Sequence, residues 1–531
     1  MSFKLRPMDK KIHYVCQFKI HELMTEKEIF EIFGTTHENV PDYEVVTINH
    51  SINKRSSEKT LKTRFFGQYF ILDLTPAKNE NFKYTKVWRG NANNSLPTGI
   101  KFTYLYDAYS VHIENKIHRD VKRSASFVVN EDKNGYPLFD GTIGGKIAIR
   151  SIPERLRSNN NLTGDFNFVE TKADSNLNTT HSHLMYHIKQ TEFENLTINS
   201  TQQKPNIQME TLYPEIMVIM DEILFRRFDN DPLKAVEYIV LFWHGIDMRF
   251  TNLINPNFKL SLVQIVLMED TLPFVKNSSA EGNIMIANNT IEAMRDYFYQ
   301  LDENAQFRIN DDYDLAMLMT GYDMSFKLAN GWDRLVHGVA HVGGACRKAN
   351  KMITATGIFE DNGGFRGIIT GYHELAHLLG ANHDRTDNAT SKFCLAKEGY
   401  VMGGQFGQRM FFFSKCSIAE MQQQILSGKS PCMKNVPLVK NSLPNDLTNK
   451  YKINIRLPGQ FLSLREQCNG NTPCYEDERV CLNLCCKNDA EQQFWKIPLY
   501  KRAPAADGSP CGDGKICFSG FCMGVTPSIK N

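Results

Sequence analysis

The middle of the chain alternates apolar segments of strand length with amphipathic segments of helix length. Residues 216–220 and 260–268 are largely apolar runs typical of buried strands. From Asp231 onward apolar residues recur at helical spacing, and residues 291–301 repeat that pattern. The alternation predicts an α/β domain in which helices cover a twisted sheet.

The two flanks have a different texture, which divides the chain into parts. Residues 1–207 mix short alternating segments with polar stretches, which predicts a β-rich region. Residues 438–450 are polar and contain a proline, as linkers do, and residues 451–531 are dense in cysteine. We therefore expect a central domain at 208–437, flanked by an N-terminal region and a small disulfide-rich domain.

Charge narrows the possible partners. The 531 residues carry 61 basic and 59 acidic side chains, a net charge of +2 without a basic or acidic tract. Such a balance gives no reason to expect nucleic acid as a ligand. The sequence contains no apolar run long enough for a transmembrane span, and no feature indicates more than a monomer.

The 13 cysteines are concentrated toward the C-terminus, with Cys16 alone at the other end. Eight of them fall between residues 468 and 522, a density typical of a disulfide scaffold. A second metal site at Cys481, Cys485 and Cys486 is the alternative. The twelve cysteines other than Cys16 form an even set, which favours an oxidising compartment.

We therefore expect a secreted protein, although the first thirty residues contain no apolar core of a signal peptide. That absence would suit a cytosolic protein; we attribute it instead to an incomplete N-terminus. Sequons for N-glycosylation agree with secretion. The nine sequons begin at Asn49, Asn93, Asn161, Asn178, Asn195, Asn199, Asn277, Asn288 and Asn388.

Residues 371–384 (GYHELAHLLGANHD) carry the candidate chemistry. His373 and His377 are four residues apart, so on a helix their imidazoles project from one face and can bind one zinc ion at ~2.0–2.1 Å. Gly380 can adopt the left-handed conformation that ends a helix, which lets His383 return as a third ligand. Three protein ligands leave one position open for water, which is the catalytic pattern.

Glu374 lies between the first two histidines and can act as general base on a zinc-bound water. A chance match on an ordinary helix is the alternative, but the added glycine and third histidine make chance about a thousandfold less likely. Met402 lies in a Gly-containing segment where a tight turn could pass beneath the metal, although alone it would suit simple core packing.

The extended zinc motif followed by Met402 resembles the metzincin proteases, and Asp384 after the third histidine resembles their adamalysin or reprolysin branch. Further segments resemble that branch's catalytic domain. They are PEIMVIMD at 214–221, DLAMLMTG at 314–321, GVAHVGGAC at 338–346 and FSKCSIAEM at 413–421. Within that branch, the overall sequence resembles arthropod enzymes, including venom metalloproteases. The resemblance implies zinc-dependent cleavage of extracellular proteins.

The flanks resemble the same secreted enzymes. YEVV at 43–46 and FFGQYFIL at 65–72 resemble a reprolysin propeptide, which implies a zymogen with its propeptide at 1–207. LPG at 457–459 and DGSPCG at 507–512 resemble the disintegrin-like cysteine-rich module of secreted thrombospondin-repeat metalloproteases. The parts at 208–437, 438–450 and 451–531 would then be the catalytic domain, a linker and that module.

The resemblance fails at one point that concerns latency. Propeptides of this branch often carry a cysteine that caps the zinc, but no cysteine lies between Cys16 and Cys346. His181, His183 and His187 could offer imidazole instead. Histidines in a polar stretch are more often plain surface residues.

The resemblance also implies two disulfides and a substrate-binding edge. It pairs Cys346 with Cys432 and Cys394 with Cys416; from the residues alone, the other two connectivities of these four cysteines stay open. It also implies that a sheet edge near residues 339–343 pairs with extended substrate.

A calcium site remote from the zinc is a further implication. By resemblance it would use the side chains of Glu215, Asp314 and Asn435 and the Cys432 carbonyl. Carboxylate, amide and carbonyl oxygens are ligands that calcium prefers. The alternative is that Glu215 and Asp314 are ordinary surface carboxylates.

A zinc endopeptidase is therefore the expected function. The rival is a catalytically silent binding protein or toxin that keeps the zinc domain as a scaffold and acts through its cysteine-rich tail. Glu374 and all three histidines are intact, whereas a silent scaffold commonly loses the base.

Overall fold

A computed structural model gives the structure of the chain. It describes residues 19–524 apart from 34–36, 53–57, 77–84, 113–116, 121–122, 124, 133–134, 144–146, 158–180, 188–208, 251–252, 254, 281–282, 385–393, 404–407, 437–449 and 488–502. Outside the described residues lie Cys16, nearly all of the predicted linker, and the sequons at Asn161, Asn178, Asn195, Asn199 and Asn388.

The N-terminal region is rich in strands, as its alternating pattern predicts. Its elements are α1 (Glu26–Phe33), β1 (Tyr43–Ile52), β2 (Lys59–Phe65), β3 (Gln68–Pro76), β4 (Thr85–Ala92), β5 (Ile100–His112), β6 (Ile117–Asp120), β7 (Ala125–Glu131), β8 (Pro137–Ile143), β9 (Ile147–Ser151), α2 (Glu154–Arg157) and β10 (His181–His187). Eight of these strands close into a barrel in the order β1-β10-β9-β8-β7-β6-β3-β2.

Strand alternation fills the barrel, because every second side chain points inward. Leu61, Leu72, Phe127 and Phe139 are buried in one apolar cluster inside it. His183 of β10 is also fully buried, and its Nε2 accepts a hydrogen bond from the Phe139 backbone N–H at 3.0 Å. The expectation of a surface histidine is therefore wrong at this position.

The central and C-terminal parts alternate strands and helices and end in short elements. They comprise β11 (Thr211–Leu212), β12 (Glu215–Met220), α3 (Glu222–Arg226), α4 (Pro232–Phe250), β13 (Asn257–Phe258), β14 (Ser261–Met268), α5 (Pro273–Lys276), β15 (Ser279–Ala280), β16 (Ile284–Ile286), α6 (Ala287–Glu303), β17 (Leu315–Thr320), β18 (Asp323–Leu328), β19 (Gly331–Asp333), β20 (Gly338–Ala340), β21 (Lys348–Ala349), β22 (Met352–Ile353), β23 (Thr356–Glu360), α7 (Ile368–Leu378), α8 (Lys415–Leu426), β24 (Lys450–Ile455), α9 (Pro458–Phe461), α10 (Leu464–Gln467), β25 (Pro510–Gly512), β26 (Lys515–Phe518) and β27 (Phe521–Gly524).

One eight-stranded sheet organises the central region, in the order β20-β23-β17-β12-β14-β4-β5-β24. Strands β23, β17, β12, β14 and β4 run parallel, whereas β20 and β5 are antiparallel to their neighbours and β24 is parallel to β5. The sheet takes strands from both sides of the boundary expected at residue 207. Helices α4, α6 and α7 share its apolar cluster, which makes the region α/β.

The C-terminal part is held by disulfides. The structure joins Cys346 to Cys432 and Cys394 to Cys416, which are the pairs that the resemblance implies. In the tail the pairs are Cys468–Cys486, Cys474–Cys485, Cys481–Cys517 and Cys511–Cys522. The three cysteines of the alternative metal site are thus each bonded to another cysteine.

No helix in the described ranges has the length and apolar character needed to cross a bilayer.

Candidate active site

Helix α7 presents the zinc motif, and buried contacts fix its position. The Asp361 carboxylate accepts hydrogen bonds from the backbone N–H groups of Gly363 and Gly367 at 2.9 Å each, just before the helix begins. Farther along, the Tyr372 ring packs against Phe413 with a centroid separation of 4.5 Å. Burial of an aromatic ring stabilises a fold by roughly 1.5–3 kcal/mol, and the Tyr372 hydroxyl, which is buried without a hydrogen-bond partner, offsets part of that.

The three motif histidines converge. Nε2 of His383 lies 3.0 Å from Nε2 of His373 and 3.1 Å from Nε2 of His377. Within the described parts of the chain, this is the one group of three or more histidine or carboxylate side chains whose ligand atoms are all close enough to one another to hold a metal. Tetrahedral zinc with ~2.0–2.1 Å bonds separates its ligand atoms by about 3.3 Å, so the three nitrogens fit the ion.

Backbone carbonyls orient two of the three rings. His373 Nδ1 lies 2.9 Å from the Val401 carbonyl oxygen, and His377 Nδ1 lies 2.7 Å from that of Ala381. A neutral imidazole that donates from Nδ1 has its Nε2 lone pair free for a metal. Burial and the neighbouring His383 lower the pKa of His377 to about 4, which keeps the ring neutral and able to coordinate.

The chain turns after the helix as the glycine predicts. Gly380 has a φ of +110°, and a Cβ there would meet Gln424 Cβ at 2.6 Å, so both backbone and space favour glycine. Asp384 is buried; its backbone N–H donates to the Met402 carbonyl at 3.0 Å, and its carboxylate accepts from Ser414 Oγ at 2.6 Å. These bonds place Met402, buried in a 3-10 turn, next to the third histidine.

Glu374 is buried on the same helix, and its Oε2 has no hydrogen-bond partner. Burial raises the pKa of the Glu374 carboxyl well above its usual range. Its neighbour is Gly338, where a Cβ would lie 2.5 Å from Glu374 Oε1. The contact of Gly338 with Glu374 was not predicted, because no local pattern links a glycine in an edge strand to a residue 36 positions later in the chain.

Strand β20 forms the edge of the sheet next to this helix. Its residues pair antiparallel with β23, from Gly338 opposite Phe359 to Ala340 opposite Gly357. The other edge of β20 is unpaired in the sheet, in the part of the chain that the structure describes. This edge includes part of the segment near residues 339–343 that the resemblance assigns to substrate.

The structure also brings the calcium candidates together. The Glu215 backbone N–H donates to Asp314 Oδ2 at 3.0 Å, and Asn435 Nδ2 lies 3.2 Å from Glu215 Oε2. Asp314 is buried, so it is not the ordinary surface carboxylate of the alternative, and its Oδ1 has no hydrogen-bond partner. Cys432 is in the 3-10 turn just before Asn435.

The described sequons have different exposures. Asn49, Asn277 and Asn288 are exposed, and Asn93 is half-buried, with its side-chain oxygen accepting from the Ser95 backbone N–H at 3.0 Å. The three exposed side chains leave room for a glycan.

Comparison with known proteins agrees with this site. Residues 212–437 match the family model "Reprolysin (M12B) family zinc metalloprotease", and residues 458–523 match "ADAMTS cysteine-rich domain 2". A protein of Bombyx mori named "A disintegrin and metalloproteinase with thrombospondin motifs like" is 26% identical, covering 82% of this chain and 68% of its own length.

Two further relatives match different fractions of this chain and of their own sequences. "Venom metalloproteinase 3" of Eulophus pennicornis is 24% identical, covering 78% of this chain and 95% of that protein. The human "A disintegrin and metalloproteinase with thrombospondin motifs 15" is 26% identical, covering 59% of this chain and 30% of that protein. Residues 212–437 therefore match the reprolysin-type zinc metalloproteases over the segment that contains the zinc motif, and the chain is a zinc metalloendopeptidase.

Proposed function

We propose that the protein is a secreted endopeptidase, made as a zymogen, that cleaves extracellular proteins with Glu374 as its general base. The observation that carries this proposal is that the three motif histidines converge beside the buried Glu374 carboxylate. Glu374 is on the helix that also contains His373 and His377. Titratable groups with shifted pKa values that are gathered at one place in a structure are typical of catalytic sites.

His373, His377 and His383 would hold one zinc ion through their Nε2 atoms. Zinc held there would supply Lewis acidity, polarising the scissile carbonyl and lowering the pKa of a coordinated water. The Val401 and Ala381 carbonyls would keep two of the rings in the orientation that coordination needs.

Glu374 would move the proton. Its ionised carboxylate would accept a proton from the attacking water and transfer it to the leaving amine nitrogen as the peptide C–N bond breaks. A neighbouring dication favours the ionised form of the carboxyl and so opposes the effect of burial on its pKa. Gly338 would leave the space that this carboxylate needs.

The unpaired edge of β20 would bind the substrate backbone. An extended peptide can add to an exposed strand through main-chain hydrogen bonds, which makes binding tolerant of side-chain identity. The pairing would bring the scissile bond to the side of the strand on which Glu374 lies.

The proposed chemistry predicts a specific metal requirement. Phenanthroline, with calcium kept in excess, should reduce the rate of cleavage of an unfolded protein substrate by at least about 10³-fold. Zinc added at the same concentration as the phenanthroline should restore cleavage, whereas magnesium should not. Peptide products would be measured by mass spectrometry. Cleavage that survives complete removal of zinc would refute the zinc mechanism, whereas absence of any cleavage by the zinc-loaded, processed protein would favour the silent binding protein or toxin.

Secretion is supported by the disulfides. All twelve cysteines from Cys346 onward are paired, which requires an oxidising compartment. For the same reason none of these twelve can cap the zinc as a free thiol. We keep residues 1–207 as the proposed propeptide, 208–437 as the catalytic domain, 438–450 as the linker and 451–531 as the cysteine-rich domain.

A calcium ion is proposed at Glu215, Asp314, Asn435 and the Cys432 carbonyl. The free Asp314 Oδ1 supports it, because a buried carboxylate oxygen without a partner is costly unless a cation or proton occupies it. Rotating the Asn435 amide would turn its oxygen toward the same place. The ion would tie the first long strand of the catalytic domain to its last turn.

Calcium binding should depend on pH. Burial, with a smaller contribution from the Glu215 charge, raises the pKa of Asp314 to about 7. Protonation therefore competes with calcium below that pH, and affinity should rise about tenfold from about pH 6 to pH 8. Without calcium, the raised pKa of Asp314 means that the folded state favours the protonated carboxyl. The resulting contribution to the free energy of unfolding is therefore present at low pH and is lost as the pH rises through about 7.

Calorimetry and thermal unfolding would test this prediction. The shift of the thermal midpoint by calcium should be larger at the higher pH, with zinc content unchanged. Asp314→Asn should weaken calcium binding and remove most of its pH dependence. Equal calcium affinities at both pH values would contradict the assignment of Asp314.

A further inference from the structure

The N-terminal hairpin β4–β5 lies inside the catalytic sheet. Strand β4 pairs in parallel with β14, from Lys86 opposite Gln264 to Gly90 opposite Met268. Strand β5 pairs with β4 and, on its other side, with β24. Both outer neighbours of the hairpin therefore come from chain segments after the expected propeptide boundary.

Side chains reinforce the β4–β14 pairing. Thr85 Oγ1 donates to the Leu262 carbonyl at 2.7 Å, in a buried hydrogen bond. Trp88 Nε1 donates to Gln264 Oε1 at 2.8 Å, so a specific polar contact fixes the strand register. At the end of the strand, the Ala92 backbone N–H donates to an Asp270 carboxylate oxygen at 2.8 Å.

The hairpin also shares the apolar core of the catalytic domain. Val87, Ile100 and Ala108 belong to the same buried cluster as the strands and helices that carry the zinc motif. The Phe307 ring contacts Phe102 edge-on with a centroid separation of 5.0 Å, and it contacts Trp88 in the same way at 5.6 Å. Removing the hairpin would expose this core on one side.

The barrel makes a second contact with the rest of the chain. Arg150 of β9 places its guanidinium 3.8 Å from the centroid of the Phe521 ring in the C-terminal hairpin. Arg119 of β6 and Asp247 of α4 are both buried and interact electrostatically. The N-terminal region thus contacts both the catalytic domain and the cysteine-rich domain.

We propose that the N-terminal region remains bound as a non-covalent subunit after the chain is cut between residues 188 and 208, because β4 and β5 complete the catalytic sheet. The catalytic fragment is the partner, and its surface is the edge of β14 together with β24. The inference rests on the proposed function in one respect only, because activation of a zymogen is the reason to expect a natural cut. No cysteine after the cut is free to link the fragments.

Loss of the hairpin would have a clear physical cost. Strand β14 would become a sheet edge with unpaired backbone groups, and β24 would lose its pairing strand. Exposed edges of this kind promote aggregation. A region that only blocked the active site could leave without such damage, whereas this one is part of the sheet.

A cut installed in the full-length protein tests the proposal. A recognition sequence for a site-specific protease replaces part of residues 188–208, and the purified chain is cleaved and passed over a size-exclusion column. The fragments should co-elute in equal molar amounts at the position of the intact chain and separate only in denaturant. Elution of the N-terminal fragment alone would overturn the proposal.

Hydrogen exchange in the cut protein identifies the interface. Amides of Lys86–Gly90 should exchange at rates within about threefold of those in the intact chain, because the β4–β14 ladder persists. Co-elution with unprotected amides in this strand would also overturn the proposal, since the barrel alone would then hold the fragments together. Neither measurement uses peptidase activity, so a failure of the proposed catalytic function would leave the result unaffected.

Matched variants check the role of the core contact. Val87 is fully buried, whereas its neighbour Lys86 is exposed on the opposite face of the strand. Val87→Asp should release the N-terminal fragment after the cut, and Lys86→Asp should not. If Val87→Asp does not fold, the elution and exchange results for the parent sequence still decide the question.

Discussion

Glu374→Ala is expected to reduce kcat for a peptide substrate by about 10³–10⁴-fold while the protein keeps one zinc ion. In the proposed mechanism the side chain moves a proton and does not coordinate, because the three converging nitrogens belong to His373, His377 and His383. Cleavage rate and zinc content, measured on the same sample, separate the two roles.

Two further variants serve as controls for this result. Glu374→Gln keeps the volume of the buried side chain and removes only the base, so it should be as inactive as the alanine variant and rule out a packing effect. His383→Ala should lose zinc on dialysis, because it removes one of three ligands. A Glu374→Ala enzyme with activity within about tenfold of the parent would mean that another group is the base.

The convergence of the three motif histidines could be predicted because its determinants are local. Ligands four residues apart on one helix face, and a glycine that allows a turn, are short-range properties of residues 373–383. The structure adds the carbonyl partners of His373 and His377, which come from Val401 and Ala381. The Val401 contact is long-range, so no spacing rule could have supplied it.

The core strands and helices of the central domain were predictable for a similar reason. The apolar run at 216–220 became β12, and the helical pattern from Asp231 became α4, with bounds that differ by only one residue. Hydrophobic periodicity determines such elements locally. Burial on both sides explains why β12 has a continuous apolar run, as central parallel strands do.

The sequence did not allow a prediction of which strands pair with each other. Trp88 and Gln264 are 176 positions apart, and nothing near either residue indicates that they meet. The alternating pattern in the N-terminal region predicted strands but not that eight of them close into a barrel. It also did not predict that β4 and β5 pair in the catalytic sheet and not in the barrel. Pairing depends on which edges remain free once the rest of the chain has folded, and that is a non-local property.

Gly338→Ala is expected to lower kcat about 10²-fold with zinc content unchanged. The added Cβ would lie 2.5 Å from Glu374 Oε1 and 2.6 Å from Glu374 Cγ, so the carboxylate must move away. A displacement of about 1 Å of a catalytic group is enough for such a loss. In the proposed mechanism Gly338 would thus act as a positioning residue, through Glu374.

Kinetics distinguish this role from substrate binding by the same strand. If the methyl group disturbed only the pairing of substrate with β20, KM would rise and kcat would stay constant; displacement of Glu374 lowers kcat instead. Gly357→Ala is the matched control. It adds the same methyl group to the adjacent strand, where the nearest atom is the flexible Met317 Sδ at 2.9 Å and no Glu374 atom is among the nearest contacts.

The stability of the variants completes the test. Gly338 does not have a positive φ, so alanine introduces no backbone strain, and the thermal midpoint should stay close to that of the parent. The kcat of Gly357→Ala should remain within about threefold of the parent value. A Gly338→Ala enzyme with full zinc content and parental kcat would show that the carboxylate can shift without loss, and the close approach of strand and base would then have no catalytic role.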